Sequence, residues 1–229
     1  MGGQACVFYG AAQFSKDVDL VLLASPENFK NLLAALDGLK AKRIAVPRFD
    51  PEVLARGHAV HFRCQDGAAA GLRMTRLRDL PPFEVLWQKR TTINDENGDS
   101  FELLSVEDLV QAKKTQRDKD WPVIDALVEG HYRSFGGQPT PQRVDFWLME
   151  ARTPERLIEL AKRFPAQADE ISRKRPLLQL AISADSEVLR AALDAEVRVE
   201  QAKDREYWAP LRAEMEAFRR TELRRGEEP

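Results

Sequence analysis

The chain has 229 residues, 43% of them hydrophobic and 31% charged, enough to bury a sizeable core in one large domain or two small ones. With 35 basic residues against 37 acidic ones the net charge is −2, so no overall field recruits nucleic acid or an anionic membrane, and any such binding has to come from a local patch. No apolar stretch approaches the roughly 20 residues that span a bilayer, and the N-terminus lacks the basic start and uninterrupted apolar run of a secretion signal, so a cytoplasmic protein without a membrane partner is expected.

In chain order, Gly2-Gly3 opens a stretch, QACVFYG, that reads as a short helix. The apolar run VDLVLL (18–23) follows as a strand. Ser25-Pro26-Glu27 supplies an N-cap, a first-turn proline and a first-turn acid for a helix whose Phe29, Leu32, Leu33, Leu36 and Leu39 form one apolar stripe. HAVHFRC and GLRMTRL are short strands, with Asp66-Gly67 between them as a hairpin turn. FEVLWQK is helical, and RTTIND and SFELLS flank Asn97-Gly98, a second hairpin signal. Ser105 and Asp108 resemble a capping box at the head of a helix through VEDLVQAKKTQRD. Trp121-Pro122 marks a break before the helical WPVIDALVEGHY, with the indole expected in the core.

Glycine, proline, serine and glutamine gather at 134–142 and read as a linker between a first domain at 1–133 and a helical module at 143–229. Thr153-Pro154 begins one helix of that module, RPLLQLAI is a second, and the long segment from Ser186 is a third, broken or kinked at Pro210. The expected class is therefore α+β: a mixed sheet with flanking helices, then helices alone. Cys6 and Cys64 have no metal-ligand spacing and read as buried thiols.

Chemistry is concentrated near the start. Asp17 and Asp19, at i and i+2 on a strand, present parallel carboxylates on one face. Two such groups repel, and a divalent cation relieves that repulsion. Mg²⁺ takes one or two protein carboxylates together with substrate phosphates, so a phosphate-bearing substrate is implied; a solvated strand end is the plain alternative. Gly2-Gly3 permits close approach of backbone to a ligand, and the amides of the following helix can meet a phosphate.

A Gly-[Gly/Ser] pair opening a helix, followed about a dozen residues later by a strand carrying alternating acids, resembles the nucleotidyltransferase fold, as in the minimal nucleotidyltransferases and the AbiE-type toxins of bacterial toxin–antitoxin systems. GGQACVFYG…SKDVDLVL carries that resemblance, and LLSVEDLVQAKKTQRDKDWPVIDAL extends it more loosely to residue 132. The resemblance implies Mg²⁺ on Asp17 and Asp19, an NTP whose phosphates lie against Gly2, Gly3, Ser15 and Lys16, and transfer of NMP to an RNA, protein or small-molecule acceptor. For a toxin it also implies an antitoxin partner. It implies a third acid on a neighbouring strand as well; the position matching it is Thr75, with His61 and Asp66 as alternatives. Related chains place a helix and a strand ahead of the glycines, so here either the start lies upstream or the core strand is lacking.

Two basic segments complete the inventory. In KKTQRDKD, Lys113 and Arg117 share a helix face and could offer cations to a triphosphate, while Lys114 and Asp118 share another; a solvated, salt-bridged surface is the alternative. In DREYWAPLRAEMEAFRR, Tyr207 and Trp208 interleave with arginines, but Glu206, Glu214 and Glu216 dilute the charge, which favours a core-facing or partner-facing helix over RNA binding. Three functions follow: an active nucleotidyltransferase, a catalytically weakened nucleotide binder of the same fold, or an interaction protein acting through its C-terminal helices.

Overall fold

The computed structural model describes residues 1–23, 25–65, 71–75 and 80–225. The chain forms two compact units, one of Met1–Phe8, Ala12–Ala112 and Glu206–Pro229, the other of Tyr9–Ala11 and Lys113–Arg205.

The first unit contains α1 (Gly2–Phe8), β1 (Asp17–Val21), α2 (Pro26–Gly38), β2 (Lys42–Arg43), α3 (Pro51–Ala55), β3 (Val60–Arg63), β4 (Gly71–Thr75), α4 (Phe83–Lys89), β5 (Thr91–Asn94), β6 (Ser100–Leu103) and α5 (Val106–Lys113). Local chemistry sets several of these boundaries. Ser25 accepts the Asn28 N–H at 3.2 Å with Pro26 in the first turn, and Asp50 accepts the N–H groups of Glu52 and Val53 ahead of Pro51. Ser105 accepts the Asp108 N–H at 3.1 Å and donates to its carboxylate at 3.0 Å, the expected cap of α5. Gly98, at φ +90°, closes the β5–β6 hairpin.

β1, β4, β3 and β2 form a four-stranded mixed sheet in that order. β1 runs parallel to β4; β4–β3 and β3–β2 are antiparallel. Because side chains alternate, the sheet has two different faces. Val60, Phe62 and Met74 pack with Leu36 of α2 and Leu54 of α3, with Phe29, Leu32 and Leu72 around them, as the core of this unit. Asp17, Asp19, His61 and Arg73 fall on the opposite parity. The α+β class is as the sequence indicates, and so is the β3–β4 hairpin, although its Asp66-Gly67 turn lies outside the described residues.

The second unit is helical: a 3-10 turn at Asp118–Asp120, α6 (Trp121–Phe135), α7 (Pro141–Glu150), α8 (Pro154–Arg163), α9 (Pro165–Ser172), α10 (Leu178–Ile182) and the first half of α11 (Ser186–Arg225). Thr153 caps α8 as expected, accepting the Arg156 N–H. Trp121 is buried, its indole N–H donating to the Thr115 carbonyl. The glycine- and proline-rich stretch near 134–142 is here a short connection between α6 and α7, which pack together, so both helices fall in the same compact unit. Its buried charges are answered locally: Arg175, 3% exposed, donates to the carbonyls of Leu148 and Ala151 and to Glu196.

α11 continues as helix through Pro210, and its residues from Glu206 onward belong to the first unit. Three residues, Glu214, Glu222 and Tyr207, anchor that segment. Glu214 accepts from His58 Nε2 at 2.7 Å and pairs with Arg56 at 2.9 Å; Glu222 pairs with Arg43 at 3.0 Å. Tyr207 occupies the space a side chain would need at Gly57, whose φ is +101°. His58 is 1% exposed, so Glu214→Ala strands a buried imidazole nitrogen. The expected cost is ~1–3 kcal/mol, read as a lowered melting temperature. A melting temperature equal to that of the unmodified protein would show that this anchor carries no weight.

Candidate functional site

α1 packs on β1, and at that junction the two glycines and two aspartates meet. Gly2 has φ +73°, and a Cβ there would overlap the carboxylate of Asp19. A Cβ on Gly3 would overlap the hydroxyl of Ser15, which itself donates to the Asp17 carbonyl at 3.2 Å. On the other side, a Cβ on Gly71 of β4 would press on the carboxylate of Asp17. Each aspartate thus lies against a bare glycine backbone. The junction is held by the Met1 nitrogen donating to the Asp19 carbonyl at 2.8 Å, by Gln4 donating to the Ser15 carbonyl, and by Phe8 packing on Phe101 of β6 with ring centroids 5.2 Å apart. Ala5 and Cys6 are the buried side of α1. Cys6 and Cys64 are both free buried thiols.

The register of the sheet decides what stands beside the acids. Asp17 is paired with Gly71, Asp19 with Arg73 and Val21 with Thr75; Arg73 in turn faces His61 of β3. The residue across from Asp19 is therefore a cation: Arg73 Nε lies 3.6 Å from Asp19 Oδ1. That nitrogen is buried and has no hydrogen-bond acceptor. Thr75, the position matched to a third acid, lies two pairs further along, beside Val21. Asp66 lies outside the described residues. Among the described residues no group of three or more His, Cys, Asp and Glu side chains is gathered as a metal site.

His61 is half-buried on this face. Desolvation and, after it, the Arg73 guanidinium lower its pKa from the ordinary imidazole value, while Asp19 and Asp17 pull the other way. At neutral pH the ring is uncharged and holds a lone pair for a proton. Lys16 is exposed just ahead of Asp17.

Lys113 and Arg117, in the second unit, pair with an acid of that unit. α5 ends at Lys113, so the two do not share a helix face as expected. Both turn to Asp120, which is 3% exposed: Lys113 at 3.5 Å and Arg117 at 2.7 Å, with Thr115 donating to the same carboxylate. The buried acid gathers the cations and the hydroxyl around itself, and this closes the loop instead of continuing the helix. Lys114 pairs with Glu150, not Asp118, which accepts from Gln201. These residues belong to the second unit, the aspartate pair to the first.

The parts that sequence reasoning missed are Arg73 and the face of α11. Arg73 becomes visible only once β1 and β4 are paired in register. Trp208, Arg212, Met215 and Arg219 recur at helical spacing and line a cleft with His61 and Arg73. Comparison of the chain with protein-family models, with curated proteins and with solved structures returns no match.

The steric part of this site can be isolated by comparing two glycines of the first unit with positive φ. An alanine at Gly98, which has open space around it, meets only backbone strain of ~1–2 kcal/mol; one at Gly2 must also displace Asp19. Gly2→Ala is expected to lower the melting temperature more than Gly98→Ala. Equal shifts would contradict the close packing of Gly2 on Asp19. The His61 ring should also titrate below the ordinary imidazole midpoint in an NMR pH titration, and Arg73→Met should move that midpoint upward. A midpoint unmoved by Arg73→Met would mean the guanidinium does not act on the ring.

Proposed function

We propose that this protein is a divalent-metal-dependent nucleotidyltransferase-like protein, transferring NMP from an NTP to an acceptor hydroxyl. The observation that carries the reading is the packing of Gly2 on Asp19, which makes the glycine pair and the aspartate pair a single constellation. The donor set fits one Mg²⁺: two carboxylates on one strand face, with phosphate oxygens to complete its coordination. Asp17 and Asp19 would hold the ion. When bound, it supplies charge neutralisation on the triphosphate and on the leaving pyrophosphate.

The chain's own groups do the rest. Gly2 and Gly3 lie against the Asp19 carboxylate and the Ser15 hydroxyl, so phosphates held by those side chains would lie beside main chain, with Lys16 at the same edge. Arg73, beside Asp19 and on the wall of a cleft, offers a guanidinium suited to a phosphate oxygen. In the transfer step the acceptor oxygen bonds to the α-phosphorus, the bond from that phosphorus to the β-bridging oxygen breaks, and pyrophosphate leaves. The hydroxyl proton passes to the uncharged His61 ring. No described helix is long and apolar enough to cross a membrane.

A second reading has an observation of its own. Arg73, not an acid, stands across from Asp19, which favours a protein that binds nucleotide without turning it over. Calorimetric titration of the four NTPs separates these readings from the alternative of a purely helical interaction protein. Binding should require Mg²⁺ and fall by about two orders of magnitude, on the order of 3 kcal/mol, in Asp17→Ala/Asp19→Ala. Transfer of label from α-labelled NTP to total RNA or protein then marks the enzyme, and binding without transfer marks the weakened form. If no NTP binds under any condition, both nucleotide readings are wrong.

A further inference from the structure

The polar face of the sheet does not end at the aspartates. Between β3–β4 and the Trp208–Arg219 stretch of α11 lies a cleft of about 400 Å³, wholly within the first unit. Its walls carry His61 and Arg73 from the sheet and Trp208, Arg212, Met215 and Arg219 from the helix. We propose that this cleft binds a nucleoside phosphate as the acceptor, its phosphate on the arginines and its base against Trp208 and Met215. The proposal rests on the nucleotidyl-transfer reading for the role of acceptor, though not for the binding itself.

Four observations carry it. First, the sign of the charge: three arginines line the cleft against one carboxylate, Glu216, which lies 3.5 Å from Arg219. Planar guanidinium groups bind phosphate in a two-pronged fashion, which makes an anion of that geometry the fitting ligand. Second, the size and walls: a cleft of this volume takes about one nucleotide, and an indole with a thioether beside it forms an apolar surface for a base. Third, the helix is fixed in place. Glu214 is bound to His58 and Arg56 and Tyr207 sits on Gly57, so Trp208, Arg212, Met215 and Arg219 are held over the sheet as one stripe. Fourth, continuity: Arg73 lines the cleft and also lies 3.6 Å from Asp19, so one side chain borders both the cleft and the acids. His61 lines it too, where a ring able to take the acceptor's proton is needed.

The same chemistry is offered by a free mononucleotide and by the end of a single-stranded RNA, and the test distinguishes them. Fluorescein-labelled tetraadenylate is titrated with the full-length protein, without Mg²⁺ or NTP, and followed by anisotropy; AMP and inorganic phosphate serve as competitors. The unmodified protein should bind the tetranucleotide, and Arg212→Ala/Arg219→Ala should weaken it at least about tenfold. Both arginines are exposed, and an unchanged melting curve establishes that this variant folds. Trp208→Leu should weaken the tetranucleotide and AMP while leaving inorganic phosphate unaffected. Displacement by AMP at concentrations near those of the tetranucleotide assigns the site to a mononucleotide; displacement only by longer strands assigns it to RNA; either supports the cleft.

Asp17→Ala/Asp19→Ala should keep tetraadenylate binding while losing NTP binding. Loss of NTP binding together with retained oligonucleotide binding in the unmodified protein would reject the metal–triphosphate reading and leave the cleft standing. Absence of binding, equal binding by the arginine variant, or inorganic phosphate competing as well as AMP would overturn the proposal.

Discussion

Everything at the head of the first unit depends on one contact that leaves no room for a methyl group: the backbone of Gly2 against the carboxylate of Asp19. An α-helix and a strand of an ordinary protein are kept apart by their side chains. Here the helix begins on a residue at φ +73° with no side chain, so main chain lies directly beside an acid. Gly71 repeats the device for Asp17 from the neighbouring strand. A protein gains nothing in stability by packing two carboxylates side by side over bare backbone, since the acids repel and the glycines cost chain entropy. Such an arrangement makes sense where something cationic and something phosphate-bearing are to be held, and that asymmetry between structural cost and chemical use supports a functional reading of the site.

The sheet turns that local contact into a surface. One face is apolar and closes on α2 and α3; the other carries Asp17, Asp19, Arg73 and His61 in adjacent rows. Over the second face lies the end of α11, held by Glu214, Glu222 and Tyr207. Charges on this surface act on one another. Arg73 neutralises part of the Asp19 field, and desolvation and, after it, the Arg73 guanidinium lower the His61 pKa. Among the described residues no third acid joins the pair; a cation, Arg73, and an imidazole, His61, stand beside it in the register.

Much of this was legible in the sequence because it is local. Asp17 and Asp19 share a face through the period of a strand, and the caps at Ser25, Ser105 and Thr153 mark helix starts through side-chain chemistry that needs only neighbours. The β3–β4 pairing followed from two short alternating runs. What was not legible depends on partners distant in the chain. Lys113 and Arg117 look like free cations at helical spacing until Asp120 is seen to be buried between them. Arg73 is unremarkable until the register sets it across from Asp19, and the matched Thr75 proves to stand beside Val21. The long terminal helix reads as a diluted amphipathic segment, since nothing near it in sequence tells that Glu214 is bound to His58, leaving Arg212 and Arg219 on the cleft.

The central claim is that the glycine pair and the aspartate pair form one metal–nucleotide site. Its most direct test is paramagnetic broadening of backbone amides by Mn²⁺ with and without ATP. With ATP present, signals of Gly2, Gly3, Asp17 and Asp19 should broaden before any others, and Asp17→Ala/Asp19→Ala should remove the effect. Broadening spread over exposed acids throughout the chain, and indifferent to ATP and to those substitutions, would contradict it.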